Sequence, residues 1–321
     1  MAGQSTNGAH QGRGEQPRRL PDFIGVGPAR TGTTWLHHAL ASSVVLPKGT
    51  KETSFFSSRY GRGIDWYAWH FRAAGPGSVV GEVCPYFAEP KAPERVAKHL
   101  PGCKIICTVR DPVERAWSFY RMGRYYGALR RSFEESLTAQ PNIAEGSRYA
   151  FHLTNWFQRL GRESVLVTFY DELHDNPQAY LDRICGFIGI EPIRVRQDQS
   201  AKRSVNAIDR PARNQKRARK AQRLLGSLRS HRAYRTIELL DRVGLWDFSF
   251  GGGEPFPTLE EEVEQRVRER FRPEVAALED LIGVDLSRWK RPAGARALSH
   301  SSRSAESRGA LRAQSRGRTD T

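Results

Sequence analysis

Residues 27–34, with the sequence GPARTGTT, have the composition and spacing of a phosphate-binding loop. Gly27 and Gly32 are spaced like the glycines of a P-loop, in which backbone N–H groups and the positive end of the next helix surround an anion. Thr33, however, occupies the position where an ATP-binding P-loop carries lysine, and Arg30 is the nearest cation. The loop is therefore predicted to bind a phosphate other than the Mg-bound γ-phosphate of ATP. The alternative is an ordinary strand-to-helix turn that needs glycine for its backbone alone.

A second anion site is predicted around Arg110 and Ser118. Arg110 follows directly on the apolar run Lys104–Val109, and a proline two positions later suits the first turn of a helix that would carry Ser118. A guanidinium and a hydroxyl near a helix start are good ligands for phosphate. Together with the first loop they indicate a ligand with two separated phosphate groups. The alternative is that Arg110 only pairs with a neighbouring carboxylate, Asp111 or Glu114.

The elements that must position these residues alternate along the chain between apolar, strand-forming runs and segments of helical periodicity. The four predicted strands are Phe23–Val26, Ser78–Val83, Lys104–Val109 and Ser164–Phe169. Strands that alternate with helices predict an α/β fold with a parallel sheet covered on both faces. Ligands of such sheets bind outside the carboxyl ends of the strands, where both candidate phosphate segments begin. A last long amphipathic helix is predicted over Leu259–Ile282.

Length and composition allow one large α/β domain, or a core with a helical appendage, with a tail at each end. A chain of 321 residues that is 38% hydrophobic can bury a sizeable core. Residues 1–20 and 291–321 are predicted to be disordered, which leaves 21–290 as the domain. No apolar run approaches the roughly 20 residues of a membrane helix, and no secretory signal is recognisable. The four cysteines are expected to be reduced thiols, no metal site is predicted, and the cytoplasm is the expected compartment.

The net charge of +16 lies mainly outside the predicted catalytic body. Residues 191–235 hold fourteen Lys and Arg against three acids, the two tails add +2 and +5, and the remainder of the chain is close to neutral. Basic tails are usually solvated. A nucleic-acid partner is not expected, because no recognition motif accompanies the charge. For the basic helical segment 191–235, a solvated face is the first interpretation, and an anionic acceptor or nucleic acid are the alternatives.

Several parts of the chain carry a family resemblance, and the following are the most specific. GPARTGTTWL (27–36) and CTVRDPVERAWSFY (107–120) resemble the 5′-phosphosulfate loop and the 3′-phosphate motif of sulfotransferases that use 3′-phosphoadenylyl sulfate (PAPS). KETSFF (51–56), followed by GIDWY (63–67), resembles the acceptor region of carbohydrate sulfotransferases of the heparan-sulfate type. The resemblance covers roughly residues 21–290. It implies a P-loop-like, three-layer α/β/α fold with a C-terminal helical part, and PAPS as the cofactor with no metal required.

The resemblance also implies a role for each candidate residue. Arg30 stands where the family usually has lysine and would stabilise charge on the 5′-phosphate leaving group. Glu52 would be the general base that takes the acceptor proton. The residues implied to bind the nucleotide are Thr31, Gly32, Thr33 and Thr34 at the 5′-phosphate and Arg110 and Ser118 at the 3′-phosphate.

The acceptor stays open at this stage. Family members often carry histidine two residues after the base and lysine after the glutamate of the second strand, where this chain has Ser54 and Val83. Lys48 or Lys51 are candidates for the missing cation, and Glu82 is the second candidate for the base. The expected acceptor is a hydroxyl or amine of a sugar or natural product. A P-loop kinase and a basic nucleic-acid-binding protein are the alternative functions.

Overall fold

A parallel β-sheet lies at the centre of the protein. In a computed structural model, which describes residues 18–196, 208–231 and 233–292, four strands lie in the order β2–β1–β3–β4, and every neighbouring pair is parallel. The strands are β1 (Phe23–Gly27), β2 (Gly81–Val83), β3 (Lys104–Val109) and β4 (Val165–Phe169). The prediction of an α/β fold built on a parallel sheet is confirmed.

The second strand is shorter than its sequence predicts. The run Ser78–Val83 contributes only its last three residues to the sheet. Val80 forms an isolated parallel bridge with Val45 instead. Gly81 begins the strand, and a Cβ at this position would lie 2.1 Å from the ring of Phe23 in β1. Glycine therefore permits the close approach of β2 to β1.

Helices surround the sheet and continue beyond it. Among the described residues they are α1 (Thr33–Leu40), α2 (Ile64–Ala68), α3 (Ala92–His99), α4 (Pro112–Tyr125), α5 (Phe133–Ala139), α6 (Pro141–Glu145), α7 (Tyr149–Leu160), α8 (Tyr170–Asp175), α9 (Pro177–Ile188), α10 (Gln215–Ser230), α11 (Tyr234–Arg242), α12 (Leu245–Ser249) and α13 (Glu261–Ile282). The predicted C-terminal helix is α13, which begins two residues later than expected.

Successive side chains of the strands point into cores on opposite faces of the sheet. Ile24 and Ile105 belong to a core that α3, α7 and α13 complete, whereas Phe23 and Ile106 belong to a core with α1 and α9. Both faces are therefore covered by helices. This arrangement is the three-layer α/β/α architecture that the sequence predicts.

The strand order places the ends of β1 and β3 side by side at a topological switch point. The chain leaves β1 for β2 on one side of the sheet and then crosses to β3 on the other side of β1. In parallel sheets such a reversal opens a crevice outside the carboxyl ends of the two strands. The loop after β1 begins at this crevice, and Arg110, which directly follows β3, lies there as well.

The C-terminal part of the chain forms two helical units. Ala218, Ala221 and Leu225 of α10 pack with Trp246 and Phe250 in a small core beside the main domain. The helix α13 packs along α4 and α7. The basic segment 191–235 thus includes α10, although residues 197–207 and 232 lie outside the described residues.

All four cysteines are buried free thiols. No helix among the described residues combines the length and the apolar character that crossing a membrane requires. The two predicted tails fall almost wholly outside the described residues, at 1–17 and 293–321.

Candidate active site

The loop between β1 and α1 turns through three residues of positive φ. Gly27 and Gly32 each have φ +88°, and Arg30 has φ +76°. A Cβ on Gly32 would lie 2.6 Å from a leucine methyl group of α8, so both its conformation and its space favour glycine. Thr31 is fully buried, and its hydroxyl donates to the Pro28 carbonyl at 2.7 Å. The Thr31 hydroxyl that was predicted to bind phosphate therefore closes the loop from inside, and only the backbone N–H of Thr31 is left for that role.

The helix α1 begins directly at this loop. Thr33 is its first residue, and the N-cap residue Gly32 has no side chain with which to cap the helix. Thr33 and Thr34 both line a cavity of about 840 Å³. The positive end of α1 and two threonine side chains therefore face this cavity, as an anion site requires.

Arg30 and Ser118 are in direct contact although 88 residues separate them. The Nε–H of Arg30 donates to the Ser118 hydroxyl at 2.9 Å, and Nη1 of Arg110 donates to the Arg30 carbonyl at 3.4 Å. Burial, followed by the nearby Arg110 guanidinium, lowers the pKa of Arg30. The two predicted phosphate segments therefore meet in one positively charged site.

Two further contacts hold Arg110. Its guanidinium pairs with Glu114, one turn along α4, at 3.1 Å, and lies 4.4 Å from the ring centroid of Tyr170. Arg110 thus pairs with Glu114, which is one of the two neighbouring carboxylates that the sequence offers as partners. Arg110 and Ser118 nevertheless line the same cavity of about 620 Å³. The ion pair is compatible with a place in an anion site.

Asp111 fixes the start of the helix that carries Ser118. Its Oδ1 accepts hydrogen bonds from the N–H groups of Val113 at 2.9 Å and Glu114 at 3.1 Å, which is the contact pattern of a helix cap. Its Oδ2 pairs with Arg268 of α13 at 2.7 Å, and both side chains are buried. Through Asp111, the C-terminal helix thus supports the start of α4, the helix that follows Arg110 and carries Ser118.

Glu52 lies on the wall of the larger cavity, which Arg30 also lines. Its Oε1 accepts a hydrogen bond from Lys51 Nζ at 2.6 Å, and 40% of its side chain is exposed. Lys48 is exposed and is not among the residues that line this cavity. Of the two lysines considered from the sequence, Lys51 is therefore the one that supplies a cation beside Glu52.

Glu82 is buried away from this wall and anchors the loop that carries Glu52. Its carboxylate accepts hydrogen bonds from the N–H and the hydroxyl of Thr53 at 2.8 and 2.7 Å, and from the hydroxyls of Tyr67 and Tyr86 at 2.7 and 3.2 Å. Burial raises the pKa of Glu82, and these hydrogen bonds act in the opposite direction. Its position corrects the prediction of Glu82 as a second candidate base, because all four donors surround it inside the protein.

Two cavities meet at Arg30. Arg110, Ser118 and Arg121 line the smaller one, and Glu52 lines the larger one. Residues 208–209 border both. The arrangement can therefore hold an anionic group in the smaller cavity and a second molecule beside Glu52, with one guanidinium between them.

The comparison with protein families agrees with this geometry. A family model described as the sulfotransferase domain matches residues 20–222, which is more than half of the chain. The chain belongs to the sulfotransferase family. The family match includes the loop after β1, Arg110, Ser118 and Glu52, and it ends within α10.

Among curated proteins, this sulfotransferase is similar to enzymes that act on heparan sulfate. It is 32% identical over 200 residues to the mouse bifunctional heparan sulfate N-deacetylase/N-sulfotransferase 3, covering 54% of this chain and 23% of that protein. It is 33% identical over 198 residues to the human bifunctional heparan sulfate N-deacetylase/N-sulfotransferase 2, covering 54% and 22%. The chain thus spans less than a quarter of the length of these relatives.

Among solved structures, the sulfotransferase from Alicyclobacillus acidocaldarius has a similar fold. The TM-score is 0.61 at 22% sequence identity, and the superposition covers 85% of this chain and all of that one. The likeness confirms the P-loop-like fold of the sulfotransferases for this chain. It also reaches beyond the segment that the family model matches.

The C-terminal helices complete the larger cavity of this sulfotransferase. Gln222, Gly226 and Arg229 of α10 line its wall, together with Asp247 and Phe250 around α12. Most of these residues lie beyond the family match. Sequence reasoning assigned no side chain of this region to the site, because its basic composition indicated a solvated face first, with an anionic acceptor or nucleic acid as the alternatives.

Sequence reasoning also missed Arg121 and the anchoring role of Glu82. Arg121 follows Ser118 by three residues and so lies on the same face of α4, a spacing that could have drawn attention to it. Glu82 is a carboxylate within an apolar strand, and such a residue needs buried hydrogen-bond donors. The identity of those donors could not be read from the sequence.

Proposed function

We propose that this sulfotransferase transfers a sulfuryl group from PAPS to a hydroxyl or amine of a carbohydrate or small-molecule acceptor. The arrangement around Arg30 is the observation that carries the proposal. The residue borders a cavity with Arg110 and Ser118 on one side and a cavity with Glu52 on the other. A donor with two phosphate groups and an acceptor can meet there.

The residues divide into two phosphate-binding groups. Arg110 and Ser118 hold the 3′-phosphate in the smaller cavity. The 5′-phosphate lies at the start of α1, where it is bound by Arg30, Thr33, Thr34 and the backbone N–H groups of the loop that includes Thr31 and Gly32. The helix end and the arginines supply the positive charge that such groups require.

The transfer is an in-line displacement. PAPS, when bound, supplies the sulfuryl group: its bond from sulfur to the 5′-phosphate oxygen breaks as a bond from sulfur to the acceptor oxygen or nitrogen forms. Arg30 stabilises the charge that stays on the phosphate, which leaves as 3′,5′-ADP. Glu52 takes the proton that the acceptor loses. Lys51 donates a hydrogen bond to Glu52 at 2.6 Å and orients that carboxylate.

The similarity to heparan sulfate enzymes supports a carbohydrate acceptor. The helices α10 and α12, which line the same cavity as Glu52, lie largely outside the matched segment. The side chains of α10 and α12 therefore contribute to the choice of acceptor. For this reason the proposal includes small-molecule acceptors as well as carbohydrates.

Thermal unfolding with nucleotides tests the donor. We expect 3′,5′-ADP to raise the melting temperature without magnesium and ATP with magnesium to do so far less, because the loop has no P-loop lysine. A ligand at a hundred times its Kd stabilises the folded state by about 2.7 kcal/mol. Equal shifts for the two ligands would favour a kinase-like nucleotide site instead.

Incubation with labelled PAPS tests the reaction itself. A panel of sugars, amino sugars and small phenols or alcohols is offered as acceptors, and mass spectrometry detects the added sulfuryl group. We expect a product with at least one acceptor and none with an enzyme that carries Glu52→Gln and Arg30→Ala together. Transfer at the parent rate by this double variant would contradict the assigned roles.

A further inference from the structure

Arg121 shares one face of α4 with two residues of the nucleotide site. Glu114, Ser118 and Arg121 are spaced by four and three residues, which aligns them along one side of a helix. All three line the smaller cavity. Arg121 is therefore one turn from the hydroxyl assigned to the 3′-phosphate.

The hydrogen bonds of Arg121 leave part of its guanidinium unused. Its Nη2 donates to the carbonyl of Ile208, and its Cζ lies 5.5 Å from the ring centroid of Phe256. The Nε–H is buried and has no hydrogen-bond partner within the described ranges. A guanidinium that lines a cavity and makes a single hydrogen bond within the described residues keeps further donors for a ligand in that cavity.

Charged side chains of both signs line the smaller cavity: the carboxylates Glu114, Asp209 and Glu264 accompany its arginines, and Glu264 pairs with Arg268 of α13 at 2.5 Å. Arg30, Arg110 and Arg121 all border it, and Arg110 shares its charge with Glu114 at 3.1 Å. In the part of the chain that the structure describes, no carboxylate lies within ion-pair distance of Arg121. Burial lowers the pKa of Arg121, Asp209 opposes that effect, and Arg110 adds to it.

We propose that Arg121 is a further ligand of the 3′-phosphate and sets the preference of the enzyme for 3′-phosphorylated nucleotides. The inference rests on the proposed function, since that function places the 3′-phosphate in this cavity. A terminal phosphate carries a charge of about −1.5 to −2 at neutral pH. Arg110, already paired with Glu114, balances only part of this charge, and Arg121 supplies a second full positive charge one turn away from Ser118.

Binding of two nucleotides to matched variants tests the inference. The affinity of 3′,5′-ADP and of AMP, which lacks the 3′-phosphate, is measured by calorimetry for the parent chain, Arg121→Gln, Arg121→Lys and Arg130→Gln. Arg130 is exposed and borders neither cavity, so its variant makes the same change of charge outside the site. Melting temperatures without ligand show that each variant is folded.

We expect Arg121→Gln to weaken 3′,5′-ADP by about tenfold to a hundredfold and AMP by less than about threefold, since a charged hydrogen bond to phosphate is lost only with the first ligand. Arg121→Lys should recover part of the loss, and Arg130→Gln should stay within about twofold of the parent. Equal losses for both nucleotides in Arg121→Gln would overturn the inference and leave Arg121 as a support for Ile208. A parent chain that binds neither nucleotide would overturn the proposed function and this inference with it.

Discussion

Glu52 and its neighbour Lys51 form an ion pair on what we propose is the acceptor side of the site. Their side chains meet at 2.6 Å on the wall of the larger cavity, and Arg30 lines the same cavity. A base at this position would receive the acceptor proton without touching the nucleotide. Removal of the Glu52 carboxylate should therefore lower turnover and leave donor binding unchanged.

We expect Glu52→Gln to lower kcat by at least about a hundredfold, because it keeps the shape of the side chain and removes its proton-accepting oxygen. The affinity of 3′,5′-ADP should change by less than about threefold. Single-turnover rates and calorimetry on the same preparation measure the two effects. Ser54→Ala, in the same loop, is the control and should cost much less. A Glu52→Gln enzyme with near-parent turnover and a reduced melting temperature would assign Glu52 a structural role.

At the scale of elements, β2 positions the loop that carries Glu52 through its own residue Glu82. The buried carboxylate ties Thr53, next to Glu52, to the sheet by two hydrogen bonds of 2.7 and 2.8 Å. Two tyrosine hydroxyls complete its acceptor capacity. The loop after Val45 is thus held from inside the domain, although it carries little regular structure of its own.

Glu82→Gln should lower both stability and turnover while leaving donor binding intact. The amide replaces one acceptor oxygen by a donor that would face other donors, and a buried unsatisfied group costs about 1–3 kcal/mol. Urea unfolding, kcat with a saturating acceptor, and 3′,5′-ADP affinity are the measurements. Glu94→Gln on α3, which is exposed, is the matched control. Unchanged stability in Glu82→Gln would show that the four hydrogen bonds do not hold the loop.

The helix α1 carries a histidine whose protonation opposes folding. Burial, and then the charges of Lys51 and His38, lower the pKa of His37 to about 4. The unfolded chain, with an ordinary histidine pKa near 6.5, binds this proton more readily than the folded chain. Stability contributed by neutral His37 is therefore fully present above about pH 6.5 and is lost as the pH falls towards 4.

We expect His37→Gln to reduce the pH dependence of stability between pH 7 and pH 4.5. Glutamine does not titrate, so the free energy of unfolding of the variant should fall less steeply on acidification than that of the parent. Above pH 7 the two curves should run parallel, which serves as the internal control. Urea unfolding across this range measures both slopes. Identical slopes at low pH would mean that His37 is protonated as easily in the folded protein as in the unfolded chain.

At the scale of the whole molecule, α13 joins the C-terminal part of the chain to the proposed nucleotide site. Arg268 pairs with Asp111 at 2.7 Å and with Glu264 at 2.5 Å, and the side chains of Arg268 and Asp111 are only 4% and 1% exposed. Val275 and Leu278 of the same helix belong to the main core. The domain is therefore completed by residues that lie beyond the family match.

Arg268→Met should destabilise the protein by about 3–5 kcal/mol, because it leaves a buried carboxylate without its partner. Arg266→Met on the same helix breaks an exposed pair with Glu134 at 2.9 Å and should cost about 0–1 kcal/mol. Thermal and urea unfolding compare the two variants. Similar losses for both would show that the buried pair contributes no more than a surface one.

Several features of this protein follow from its sequence alone. The strand, glycine loop and helix of residues 23–40 and the strand Lys104–Val109 form as predicted, because apolar periodicity and glycine conformation act over a few neighbouring residues. Alternation of such elements along the chain also predicts the parallel sheet. Since ligands of parallel sheets bind at the carboxyl ends of the strands, the location of the site follows as well.

Only the tertiary structure decided which side chains meet. The contact of Arg30 with Ser118 joins residues 88 positions apart, and Arg268 reaches Asp111 across 157 positions. Burial makes Glu82 an anchor of the loop that carries Glu52, and the packing of α10 and α12 places their side chains on the wall of the larger cavity. These outcomes depend on long-range packing and on competition between buried donors and acceptors. Neither of these produces a periodic pattern in the sequence.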